Sequence, residues 1–73
     1  MNAVDFHGLT LQEAINTVEK IVDGIRLSKS CEHYELITGN GVIKHKLIEV
    51  LGTCGISCRE KLGNSGTLIA EME

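Results

Sequence analysis

The chain has 73 residues, room for one small domain that buries only about 60% of its unfolded surface, so a polar cluster must sit at an edge and not through the core. Its 42% apolar and 23% charged residues are ordinary for a folded globular chain and exclude a disordered one, and no apolar run reaches the ~18 residues of a membrane span. The net charge of −3 argues against a domain that grips nucleic acid by bulk electrostatics, while leaving room for local basic patches at Lys44-His45-Lys46 and at Arg59 with Lys61.

Residues 3–7 alternate, Val4 and Phe6 against Asp5 and His7, which predicts a short strand with one buried face. Gly8 breaks it. Thr10 followed by Glu13 fits a capping box, with Thr10 as N-cap. Leu11, Ala14, Ile15, Val18, Val22 and Ile25 then keep helical spacing to about Lys29. Residues 33–38, HYELIT, predict a second strand, and the GNG behind it a turn. Ile43, Leu47, Val50 and Leu51 predict a second, shorter helix ended by Gly52 or Gly55. Residues 56–61, ISCREK, set Ile56 and Cys58 against Ser57 and Arg59, a half-exposed strand; LGNSG reads as a turn and TLIAEM, 67–72, as the last strand.

The order β-α-β-α-β-β in a single domain, 1–73, predicts an α/β chain built as an α+β two-layer sandwich. Strand–helix–strand units imply parallel strands with right-handed crossovers, and the short turn between the last two strands makes those antiparallel. The result is a four-stranded mixed sheet with both helices on one face. Nothing at the N-terminus reads as a secretory signal, so Cys31, Cys54 and Cys58 are expected as reduced thiols in the cytoplasm. Cys54 and Cys58 with Cys31 and His33 suggest zinc, but structural zinc takes four ligands at tighter spacing, and no metal site is assigned to them.

Parallel first and second strands put their carboxyl ends on one edge, the edge where open α/β sheets bind ligands. His7-Gly8 and Thr38-Gly39-Asn40-Gly41 then lie beside each other, each ahead of a helix N-terminus whose unpaired N–H groups suit a phosphate. Gly39 and Gly41 let the backbone come close to a ligand, and Lys44 and Lys46 follow with positive charge. Asp5 and His7 share one strand face, pointing to the open side or the rim, where a carboxylate orients an imidazole for proton transfer. Strand parity alone puts Arg59 on the open side as well. Each feature also has a plainer reading. Asp5 caps a turn, His7 is a polar residue on an exposed face, the glycines serve a turn, and Lys44-His45-Lys46 is a solvated helix face.

Three segments resemble the Smr (small MutS-related) domain family. VDFHG at 4–8 is similar to that family's LDLHG, followed by a long helix; ITGNG at 37–41 is similar to its TGxG; NSGTLIAEM at 64–72 is similar to its closing GSGATVVEL-like strand. The match covers essentially the whole chain, as for a stand-alone Smr domain. The resemblance implies a fold like the C-terminal domain of a translation initiation factor, and endonuclease activity on DNA or RNA, in some members at stalled ribosomes. By motif, Asp5 and His7 match the pair held responsible for cleavage, Gly39 and Gly41 the glycines that approach the backbone phosphate, and Lys44 a basic residue early in the second helix. Val42 and Ile43 follow Gly41 where many members carry a further glycine.

The leading expectation is therefore an endonuclease, a phosphodiester hydrolase or RNA transesterase, acting on nucleic acid. Asp5 and His7 are its catalytic pair; Gly8, Thr38, Gly39, Asn40, Gly41, Lys44, Lys46 and Arg59 face the phosphates. On RNA the 2′-OH serves as nucleophile; on DNA water does, with a divalent metal, magnesium or manganese, on Asp5 as one arrangement. The alternative is a module that binds RNA, a ribosome or a protein through the same edge without cleaving. A third is a binder of small phosphates or nucleotides at TGNG. No membrane partner is expected, and the sequence leaves the oligomeric state open.

Overall fold

The computed structural model describes residues 2–72. Six elements follow one another: β1 (Asn2–Asp5), α1 (Leu11–Ser28), β2 (Glu32–Ile37), α2 (Val42–Thr53), β3 (Ser57–Lys61) and β4 (Asn64–Met72). The strands form one mixed sheet in the order β1-β2-β4-β3. β1 and β2 run parallel, and β4 runs antiparallel to β2 on one side and β3 on the other. The fold is α+β, with two helices and a four-stranded mixed sheet, in agreement with the order of elements expected from the sequence. The crossover from β2 through α2 to β3 skips one strand position, and β4 turns back to fill it.

α1 forms where its sequence encodes both ends. The Thr10 hydroxyl accepts from the Glu13 N–H at 3.1 Å, and the Glu13 carboxylate accepts from the Thr10 N–H at 2.8 Å, a complete capping box. Lys29 closes the other end in a left-handed conformation, φ 54°, and the Ser30 N–H bonds back to the Ile25 carbonyl. Ala14, Val18, Val22 and Ile25 form the buried stripe. Leu11 is exposed and Ile15 only half-buried, so the apolar face is narrower than the sequence spacing suggests.

The core lies between the helices and one sheet face. α1 supplies its stripe and α2 supplies Leu47 and Leu51; the sheet supplies Leu36, Leu68, Ala70 and Met72. Phe6, just beyond β1, is fully buried among them. The other sheet face is open to solvent and carries charge: Arg59 pairs with Glu71, His33 lies 3.7 Å from the same carboxylate, and Lys61 pairs with Glu35. Such a polar face is what antiparallel pairing permits. Among the described residues no helix is long and apolar enough to cross a membrane.

Several strand boundaries shift by one residue, and two differ from the sequence expectation by more. β1 ends at Asp5, not at His7. β4 begins at Asn64, so the turn shrinks from LGNSG to Leu62-Gly63, with Lys61 opposite Asn64 and Gly63 at φ 79°. Asn, Ser and Gly are turn formers on their own. Here the Asn64 side chain accepts from the Gly66 N–H, and Gly66 bonds across to the segment after β2, which draws all three into the strand.

Candidate functional site

The parallel pairing of β1 with β2 sets Asp5 opposite Ile37 and brings the two chain turns to one edge, as expected. After β1 the chain makes a tight turn. The Phe6 N–H still bonds to the Ile37 carbonyl at 3.0 Å, and the Leu9 N–H closes on the Phe6 carbonyl at 3.1 Å. His7 and Gly8 are the central residues of that turn. Gly8 has φ 81°, the left-handed value that a type II turn requires at its third position. His7 therefore projects from a turn and not from the strand face assigned to it by parity.

Asp5 holds this turn. One carboxylate oxygen accepts from the His7 main-chain N–H at 2.8 Å. The contact differs from the expected one, in which the carboxylate holds the imidazole. Among the described residues, the histidine ring within salt-bridge distance of a carboxylate is that of His33, on Glu71. Asp5 positions His7 through the backbone. Both side chains are exposed and line a concavity of about 290 Å³ together with Ile37, Thr38 and Gly39.

The second turn hangs on a single carbonyl. Gly66 O accepts from the N–H groups of Thr38 and Gly39, both at 2.9 Å, and the Thr38 hydroxyl lies 3.3 Å away. Gly66 is closely packed: a Cβ there would stand 3.3 Å from the Cα of Gly39, and that backbone would have to give by a few tenths of an ångström. Gly39 itself sits at φ 70°. Two of the amides expected to face a phosphate are thus engaged inside the protein. The open donors lie a few residues on. Gly41 is the N-cap of α2 and supplies no side-chain bond, and the first turn of the helix holds no acidic residue. The N–H groups from Gly41 to Lys44 have no partner within the helix. Gly41 has φ −102° and nothing near its missing Cβ, so neither strain nor crowding demands glycine there. What glycine provides is access.

The cations fall elsewhere than the sequence suggests. Lys44 is buried, its ammonium bonded to the Glu60 carboxylate and 3.4 Å from the Asn40 side chain. It ties the turn and α2 to β3. Lys46 pairs with Glu49 along the helix at 3.3 Å. Arg59 does lie on the open face, but two strands from β2, and it reaches toward Glu71, away from the edge that carries the turns. Lys61 is held by Glu35 at 2.9 Å. Of the residues proposed from sequence, Asp5, His7, Gly8, Thr38, Gly39, Asn40 and Gly41 come together at one edge, Lys44 sits behind Asn40, and Lys46 and Arg59 stand apart.

Among the described residues no three His, Cys, Asp or Glu side chains converge as a metal site. Asp5 is the one carboxylate lining the concavity. A lone carboxylate fits magnesium where substrate phosphate and water complete the shell, and fits a protein-made cage poorly. Burial pushes the Cys58 thiol up, which leaves it a neutral packing group and not a reactive thiolate. Two residues of the site escaped the sequence reading. Gly66 had its only signal in the closing motif, and Ile37, an exposed apolar floor, had none. Comparison of the chain with protein-family models gives no match, and none of the curated proteins matches it.

Proposed function

We propose that the chain is a nucleic-acid endonuclease whose site is the edge formed by the two turns. The observation that carries this reading is the start of α2, without a side-chain cap at Gly41, two residues along the chain from the Gly39 that lines the Asp5–His7 concavity. A phosphodiester on the N–H groups of Gly41–Lys44 would meet backbone donors and the positive end of the helix dipole. His7 then takes and returns the proton, and Asp5 keeps the His7 backbone in place. On RNA, the 2′-OH gives its proton to His7 and attacks the adjacent phosphorus. The P–O5′ bond breaks, and the products are a 2′,3′-cyclic phosphate and a 5′-hydroxyl. On DNA, water is the attacking group and one fragment carries a 5′-phosphate. A magnesium or manganese ion shared between Asp5 and the substrate would supply charge stabilisation at the phosphoryl oxygens. The resemblance of VDFHG, ITGNG and NSGTLIAEM to the Smr motifs supports the same reaction. The reduced thiols suit a cytoplasmic setting.

One observation favours a second reading, a module that binds RNA, a ribosome or a protein through this edge without cleaving. Lys44, Lys46, Arg59 and Lys61 each lie against a carboxylate, in a chain of net charge −3. The deciding experiment is cleavage of end-labelled single-stranded RNA, structured RNA and supercoiled DNA, in magnesium, manganese or chelator. Wild type is compared with Asp5→Ala and His7→Ala. Cleavage lost in both folded variants supports the nuclease, and the product ends name its route. Cleavage that survives both places the activity elsewhere. Its absence on every substrate leaves the binding module.

A further inference from the structure

Building on that phosphodiester site, we infer that its substrate is an already unpaired nucleotide, whose base rests on the side chain of Ile37. Ile37 ends β2 on the open sheet face, between Asp5 of β1 and Thr67 of β4. It is 41% exposed, whereas the preceding positions on that face of β2 are His33 and Glu35, both engaged in ion pairs. A single exposed isoleucine is ordinary on a surface. This one floors the concavity whose rim is Asp5, His7, Thr38 and Gly39. Val42, 70% exposed at the first position of α2, stands on the far side of the same turn.

Size and charge select the class of ligand. A concavity of about 290 Å³ lies just below the roughly 300–1,000 Å³ of ligand pockets, which suits one base or nucleoside. A duplex is held largely through several phosphates neutralised by Lys and Arg. At this edge Lys44 and Lys61 are held by Glu60 and Glu35, and the phosphate contact left is the start of α2. A paired base is stacked on both faces and reaches Ile37 only after extrusion, which costs a few kcal/mol. An edge whose lysines are already held by carboxylates has little with which to drive that step. Neither Phe6, which is buried, nor Tyr34, which packs against the core, offers the base a platform, and the His7 ring on the rim is given to proton transfer. The contact is aliphatic, like the isoleucine and leucine wedges that other proteins place against bases.

The test is fluorescence anisotropy with a labelled single-stranded 12-mer RNA, the same strand in a duplex, and the strand with abasic positions, each over a salt series. Wild type and Ile37→Thr, which keeps a β-branched residue in the strand, are compared. The expected result is single-strand binding at least about tenfold tighter than duplex binding, with a slope of log affinity against log salt near −0.7, one phosphate on a single strand. Ile37→Thr should weaken the strand about fivefold without changing the slope. The abasic strand should bind wild type as weakly as the variant, with no further loss in the variant. Equal or tighter duplex binding, a slope of about −3 or steeper, or indifference to both Ile37 and the base overturns the inference, while cleavage in the same samples leaves the nuclease standing. Base-dependent binding through Ile37 without cleavage does the reverse. No binding to any strand overturns both.

Discussion

α1 and α2 each follow a strand that ends at the same edge of the sheet, yet α1 caps two donors of its first turn with its own side chains and α2 caps none with a side chain. Thr10 and Glu13 satisfy each other's backbone donors, two of the four that a helix start leaves open, and the Glu13 carboxylate sets a negative charge against an incoming anion. α2 starts from a bare glycine whose conformation any residue adopts. The difference separates two uses of one local structure. A capped N-terminus contributes stability; an uncapped one beside a histidine turn leaves donors for a ligand. The nearest lysine, Lys44, is held by Glu60 and supports the turn from behind.

The largest expected effect lies at the histidine next to the open end. His7→Ala should lower cleavage by about 10²–10⁴-fold, the usual worth of a general acid–base group, with an unchanged melting temperature, since the side chain is exposed. Single-turnover cleavage and a thermal melt check it together. Closing the open end comes next. Gly41→Asp places at α2 the kind of cap that α1 has. It should stabilise the fold by a few tenths of a kcal/mol while reducing cleavage about tenfold, because the new carboxylate competes with the phosphate. A melt and a rate that move in opposite directions are the signature to look for.

Gly66→Ala attacks the support of the open end. Its Cβ would press on Gly39, at a cost of about 1 kcal/mol, and denaturant unfolding should show that loss together with slower cleavage. Thr10→Ala is the mirror experiment on α1. It removes the capping box for about 1 kcal/mol, a drop of roughly 4–8 °C in Tm for a domain of this size, and cleavage by the folded fraction should not change. If Thr10→Ala slowed cleavage as Gly41→Asp does, the contrast between the two helix starts would have no functional content.

What the sequence revealed was local. The capping box needs only Thr10 and Glu13, three apart, and the alternation of β2 needs only its own residues. The meeting of Asp5-His7 with Thr38–Gly41 followed from one topological rule about parallel strands. What it concealed was long-range. Lys44 and Glu60 are sixteen residues apart and meet because β3 lies beside α2; a lysine early in a helix looks free until that partner is placed. Gly66 reads as a turn former until its carbonyl is seen to carry Thr38 and Gly39. His7 keeps strand parity in the sequence, but the strand ends two residues early, at Asp5, whose carboxylate accepts from the His7 N–H in the turn that follows.

The most direct test of the open helix start is a titration of the ¹⁵N-labelled protein with inorganic phosphate and with a dinucleotide, followed by amide chemical shifts. The main shifts are expected at Gly41, Val42, Ile43 and Lys44, with His7 responding to the dinucleotide and the amides of residues 10–13, the equivalent positions of α1, shifting much less. Shifts that leave residues 41–44 untouched, or that appear equally at the start of α1, would contradict an open start of α2.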